Sequence, residues 1–474
     1  MTNPQAHLSA IELSDSGDLS WFSGLAPAVA EVEVVVGRGV RVTVDAATPS
    51  AVMAWTLHRS ADPEPLAAST GDPTLLDHIA RARAGEIVNV APLHLTEHWA
   101  RRALTEAVSR WTMSPLDEGA LMLDEAAAHE HTGNALAAAR LVALASPALE
   151  SLGQQCLDGF IVGGGAAELI EIAASAARSV DNLYWGPAVT DLSHRLEAVT
   201  AFDDADLEHM LTEFARAEES VISGHLGLET STSVVVNLAI IPAIIDPHAL
   251  PARILSWRGA HAPELIVEYH GDSDEVTISA HLAADVDPFS VEPGRVLAYA
   301  ADKVTGQVLA VEPMKAVHRT LVGTLVLTSS DLSAYTFGVL HSETDMRTLR
   351  SSAIGRDLVE VDRLMLEAWN RQRSALSALH VVEAGASEET HARAQRTAAG
   401  LIGKSRTAAM NARTILDQLV AGKASESAEL VEALTVRRDA ISRYLVTLRT
   451  VTTPTDGTHP LLVEMLPVDP WDEP

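Results

Sequence analysis

His94-Leu95-Thr96-Glu97-His98 is the stretch of this chain whose residue types and spacing are best suited to chemistry. On a helix, histidines four residues apart leave the same face and can both reach one zinc ion. Glu97 between them can then polarise a zinc-bound water. For that to work, the helix must already be formed at His94. The apolar stripe that follows, Ala100, Leu104, Val108 and Trp111, predicts a helix over about 96–112 and, carried backward, places Glu97 on the core side. With Thr96 as N-cap, His94 falls outside the helix and the shared face is lost.

The other candidates are plainer. His129-Glu130-His131 sets two histidines two apart, which do not share a helix face, and reads as an exposed helix end. Cys156 is the only cysteine. It excludes an intramolecular disulfide framework and a Cys-rich zinc site, fits a reducing cytoplasm, and reads as a small core residue of an apolar helix. Gly163-Gly164-Gly165 follows Phe160-Ile161-Val162 without dinucleotide-loop spacing or a Walker lysine, and reads as a flexible connection between helices.

Residues 94–98 resemble the inverzincin metallopeptidase signature, HxxEH. The resemblance covers those five residues. It implies His94 and His98 as zinc ligands and Glu97 as general base, with a downstream Glu168 or Glu171 completing the site. A zinc peptidase is therefore one alternative function.

Charge argues for a different class. Acidic residues outnumber basic ones 33 to 12 in residues 1–230 and 14 to 6 in 231–345. In 346–450 they are 12 against 16, and in 451–474 they are 5 against none. A net charge of −30 disfavours nucleic acid and anionic membrane surface as partners, and favours solubility and basic protein surfaces. The basic block carries Arg393, Arg396, Lys404, Arg406 and Arg413, and later Arg437, Arg438, Arg443 and Arg449. Contact of this block with phosphates is a second alternative. Interleaved acids point instead to a solvated face, or to one turned toward the chain's own acidic half.

At 474 residues several cores are expected. Residues 1–230 read as a mainly helical acidic region with one β-hairpin, Glu31 to Asp45, turning at Gly37-Arg38-Gly39. Helices are predicted at Ser50–Arg59, Pro73–Ala84, Thr96–Thr112, Pro115–His129, Gly133–Leu144, Pro147–Leu157 and Asp204–Ser223. Residues 231–345 alternate over short runs, from Val234–Ile241 to Ala334–His341, and predict an antiparallel β-sandwich or barrel. Residues 346–450 predict a basic helical bundle of three amphipathic segments, with Ser387 as an N-cap and a weak middle at Gly400 and Gly403. Residues 451–474 read as an extended acidic tail. The fold class is thus α+β and multi-domain.

The longest apolar run, Ser233 to Ile245, is too short to span a bilayer and is broken by Asn237 and Pro242, so no membrane insertion is expected. Four lysines against thirty arginines, with abundant alanine, suggest a high-GC bacterial genome. The leading expectation is a cytoplasmic, non-catalytic adaptor or assembly subunit of a bacterial multi-protein system, with protein partners and no cofactor. Its tail offers Leu462, Met465, Leu466 and Trp471 as apolar anchors for a groove on this chain or on a partner.

Overall fold

Alternation of valine with polar residues builds the first layer. The computed structural model describes residues 9–113, 116–180, 185–198, 204–223, 245–250, 254–255, 265–270, 275–282, 286–327, 331–382, 386–423, 428–449 and 458–466. Strands β1 (Ser9–Leu13), β2 (Leu19–Phe22), β3 (Glu31–Gly37), β4 (Val40–Asp45), β5 (Thr48–Leu57) and β6 (Asn89–Val90) form one antiparallel sheet in the order β3-β4-β5-β2-β1-β6. Val32, Val34 and Val36 share its buried face with Val40, Val42 and Val44, and Gly39 takes the positive φ of 75° that the hairpin turn requires.

Ser50–Arg59, expected as a helix, lies largely in β5. The segment is paired on both sides, Trp55 standing opposite Val42 of β4 and opposite Trp21 of β2. Both tryptophans are almost fully buried. Ladder pairing on two edges overrides the local propensity of an Ala-Val-Met-Ala run.

Helices α1 (Glu64–Thr70) and α2 (Thr74–Arg83) precede α3 (Glu97–Trp111), which buries Ala100, Leu104, Val108 and Trp111. There follow α4 (Glu118–His131), α5 (Ala135–Leu157), α6 (Gly163–Ser179), α7 (Gly186–Glu197) and α8 (Asp204–Ser223). Two helices were expected where α5 is one, because Pro147 cannot donate to the carbonyl of Ala143. The Ser146 hydroxyl bonds that carbonyl at 3.2 Å as well as Val142 O at 2.8 Å, so the interruption is absorbed. Helix α5 has the length and apolar composition to cross a membrane. One face, Ala138, Val142, Ala145, Leu149, Leu152 and Cys156, is buried in the protein core, while Leu136 and Leu144 are exposed.

The three glycines open α6 and are buried rather than forming a loop. A Cβ on Gly164 would stand 2.5 Å from the carbonyl oxygen of His380, so only glycine lets this helix start approach the end of the first C-terminal helix.

The middle of the chain forms two further antiparallel sheets. Their strands are β7 (Leu265–His270), β8 (Glu275–His281), β9 (Val296–Asp302), β10 (Val308–Pro313), β11 (Lys315–Val317), β12 (Thr320–Val326) and β13 (Tyr335–His341), in the orders β11-β12-β8-β7 and β10-β9-β13. Val267, Val276, Ile278, Leu321 and Leu325 of the first share a core with Val296, Ala298, Phe337 and Val339 of the second. Among the described residues no ladder closes the two into a barrel. The strand expected at Val234–Ile241 lies outside the described residues.

Helices α9 (Ala353–Val381), α10 (Glu388–Lys423) and α11 (Ala428–Thr447) complete the chain, with a 3-10 turn at Leu462–Met465. Ser387 caps α10, its hydroxyl accepting Thr390 N at 3.2 Å. The helix runs unbroken through Gly400 and Gly403, held to α9 by Ser405 Oγ on Ala368 O at 2.6 Å. The charge boundary near residue 346 is not a core boundary. One apolar cluster unites Trp21 and Trp55 of the sheet, Leu104 of α3, Trp369 of α9, Leu416 of α10, Ile441 of α11 and Leu461–Val463, whereas the two central sheets have their own.

Candidate functional site

Thr96 is extended, with φ −64° and ψ 162°, and α3 begins at Glu97. His94 therefore precedes the helix and sits opposite Ala51 in an isolated β-bridge, so His94 and His98 do not share a helix face. All three motif residues, His94, Glu97 and His98, are exposed. His98 instead stacks on His131 of α4, ring centroids 5.1 Å apart. Beside them Arg102 Nη1 lies 2.9 Å from His129 Nδ1, and burial together with that guanidinium holds His129 down to about 4, a neutral acceptor. Among the described residues no group of three His, Cys, Asp or Glu side chains is placed to hold a metal. Glu168 is committed elsewhere.

That elsewhere is the C-terminal segment. Residues 458–466 run as a strap along α4, α6 and α9. Leu461, Leu462, Val463 and Met465 are buried to within 2% of complete, and Leu466 is half-buried. Leu461 to Val463 enter the main core, while Met465 enters a second cluster with Leu207, Leu211, Phe214 and Val381. The strap thus bridges two apolar clusters.

Its backbone is held by side chains. Asp124 of α4 accepts Leu462 N at 3.1 Å and Val463 N at 2.9 Å, one on each carboxylate oxygen. Arg101 of α3 donates to the carbonyls of His459 and Pro460 and also to Glu168 of α6. Arg373 of α9 donates to Thr458 O at 2.8 Å and grips Glu464 through Nε at 2.7 Å and Nη2 at 2.6 Å. Glu464 reaches back to Leu461 N at 2.8 Å, closing the turn.

The electrostatics of this cradle are unequal. Burial pushes the Asp124 carboxyl up to about 8, reinforced by Glu168 and opposed by Arg101 and the two amides. Burial also opposes charge on Glu168, but Arg101 and His459 overcome it and bring the group down to about 2. The cradle thus holds the main chain of residues 458–463 through the Asp124 acceptor pair, the Arg101 fork and one nitrogen of Arg373, while the Arg373 fork grips the Glu464 side chain.

A second polar cluster joins the central sheets to the helices. Arg350 bonds Asp246 at 2.5 and 3.0 Å and also bonds Asp362 of α9, which takes Arg437 of α11 at 2.6 Å. Burial disfavours charge on Asp246, yet the hydrogen bonds from His248 and Arg350 hold it well below the usual carboxylate range. His248 packs on Trp111, centroids 5.0 Å apart. Of the basic-block arginines, Arg437 thus turns inward, and Arg393 lies 3.6 Å from Glu208.

Leu462, Met465 and Leu466 are thus brought together on this chain's own groove, and Trp471 lies outside the described residues. The groove's own residues, Arg101, Asp124, Glu168 and Arg373, were not singled out from sequence as peptide contacts. One signal existed: Arg373 follows Trp369 by four residues on the buried stripe of α9, where an arginine requires a partner. No family model, no curated protein and no solved structure matches this chain.

Proposed function

We propose that this chain is a non-catalytic adaptor or assembly subunit, a cytoplasmic component of a bacterial multi-protein system that works by protein–protein contact. The observation that carries the reading is the seat formed by α3, α4, α6 and α9, in which Arg101, Asp124 and Arg373 bond the backbone of this chain's own residues 458–463 while Leu461, Leu462, Val463 and Met465 are buried. Main-chain capture with side-chain pockets is a recognition mode and needs no reacting group. The inward turn of Arg437, and the pairing of Arg393 with Glu208 at the surface, support protein over nucleic acid as the partner class. The two central sheets, facing one core, support a sandwich for that region. No cofactor enters this function.

The test is recovery of the tagged full chain from its native cells, followed by reassembly of whatever complex is found from purified parts. A complex of fixed stoichiometry, reproduced in vitro and lost on Arg373→Ala, is the expected result. A chain that purifies alone, or that cleaves peptides in a zinc-dependent manner, would refute the reading.

A further inference from the structure

Helix α5 is apolar along much of its length, yet only 33% of an 18-residue apolar stretch of it is buried in the protein. Ala138, Val142, Ala145, Leu149, Leu152 and Cys156 make its buried face. The opposite face carries Leu136, Arg140, Ala143, Pro147, Glu150 and Gln154, all exposed, with Leu144 beside them. Leu136 is 66% exposed and Leu144 70%, which leaves an apolar surface in need of a cover. Steps of four and three residues alternate along the row, the spacing of a seam between two packed helices.

The two charges in the seam select what covers it. Among the described residues neither Arg140 nor Glu150 has an ion-pair partner within the chain. Arg140 lies five residues before Ala145 and Glu150 five residues after it. A second α5 turned end for end about the level of Ala145 therefore sets Arg140 of each copy beside Glu150 of the other, Ala143 beside Pro147, and Leu136 beside Gln154. A parallel copy would instead oppose Arg140 to Arg140. A lipid surface fits the row less well, because Glu150 and Gln154 stand in it and a net charge of −30 opposes anionic headgroups.

We propose that this face of α5 is a homodimer interface whose occupant is a second copy of the chain, packed antiparallel, α5 on α5. The row is self-complementary, so one surface supplies both halves of the contact and closes it at two copies. A contact built on one helix pair belongs to the small, transient class of interfaces, so the dimer forms reversibly as concentration rises. The proposal goes beyond the adaptor reading and does not depend on it.

The test is sedimentation velocity of the full chain over a concentration series at about 0.15 M salt, where repulsion between the copies is screened beyond about 8 Å. The natural chain should show a reversible monomer–dimer equilibrium. Arg140→Glu gives a copy with two acids in the seam and Glu150→Arg a copy with two bases, so each variant alone should dimerise at least about tenfold more weakly. Mixed in equal amounts, the two variants should form a heterodimer at least as tight as the natural dimer. Both positions are exposed, so the circular dichroism of each variant should match that of the natural chain.

A natural chain that stays monomeric up to its solubility limit would overturn the proposal. So would a dimer indifferent to both charge changes, or two variants that fail to associate when mixed. Co-sedimentation of the natural chain with phosphatidylcholine vesicles, lost on Leu144→Asp, would assign the face to lipid instead.

Discussion

Arg373 and Glu464, ninety-one residues apart in sequence, meet in a two-pronged ion pair with each side chain less than a tenth exposed. Removing one member leaves the other charge buried without compensation, which costs about 3–5 kcal/mol. Arg373→Ala should therefore lower the urea midpoint strongly. Arg373→Lys should recover only part of the loss, because one ammonium cannot reproduce the fork on Glu464 and also reach Thr458 O. Full recovery by lysine would show that charge alone, not the fork, holds the strap.

Asp124 sets a pH dependence of opposite sign to an ordinary paired carboxylate. Its folded-state value of about 8 lies above the unfolded one near 3.8, so the folded protein binds the proton more tightly. Its contribution is present in acid and is lost as pH rises from about 4 to about 8. The stability advantage of the natural chain over Asp124→Asn should shrink between pH 5 and pH 8 in urea titrations. An advantage that grows over that range would mean that the two amides from Leu462 and Val463 prevail over burial.

Asp362 holds Arg350 and Arg437 together, tying the central sheets to α9 and α11. Asp362→Ala leaves two guanidinium groups facing each other, so residues 245–250 should exchange amide hydrogens faster while β8 and β12 remain protected. Unchanged exchange at 245–250 would assign the docking to the apolar contacts of Leu340, Ala249 and Leu349 instead.

Zinc occupancy follows from the start of α3. With His94 outside the helix and His98 stacked on His131, purified protein after dialysis should hold no stoichiometric zinc by elemental analysis. One equivalent that disappears in His98→Ala would restore the peptidase alternative.

How much of this was legible depended on range. Alternating valines at 32–44 and the amphipathic period of the segments after residue 346 are local patterns, and β3, β4 and the helices α9 to α11 stand in the regions they predicted. Thr96 as N-cap was readable for the same reason. Strand β5 was not, since its two ladder partners lie before it and decide it from outside. The cradle was invisible because Arg101, Asp124, Arg373 and Glu464 are joined only by the packing of α3, α4, α9 and the strap. The glycines at 163–165 misled because a close helix approach and a flexible loop call for the same residue.

The basic block provides the last test, since its charge marks it as a separate module while its apolar side chains do not. Trp369, Leu416, Ile441 and Tyr444 belong to the same cluster as Trp21, Leu104 and Leu149, so α9 to α11 alone would expose a face that the sheet and α3 to α6 cover. Exposed apolar area of that kind drives loose or aggregated states rather than a second native fold. Residues 346–450 expressed alone should therefore bind a hydrophobic dye and show poorly dispersed amide resonances, and co-expression with residues 1–345 should abolish both. Opposite net charge, −29 against +4, assists the encounter, but exposed pairs contribute only about 0–1 kcal/mol each, so added salt should slow the association more than it weakens it. A well-dispersed spectrum from 346–450 alone would show that the bundle has a self-sufficient core and that the shared cluster is an interface between two independent domains.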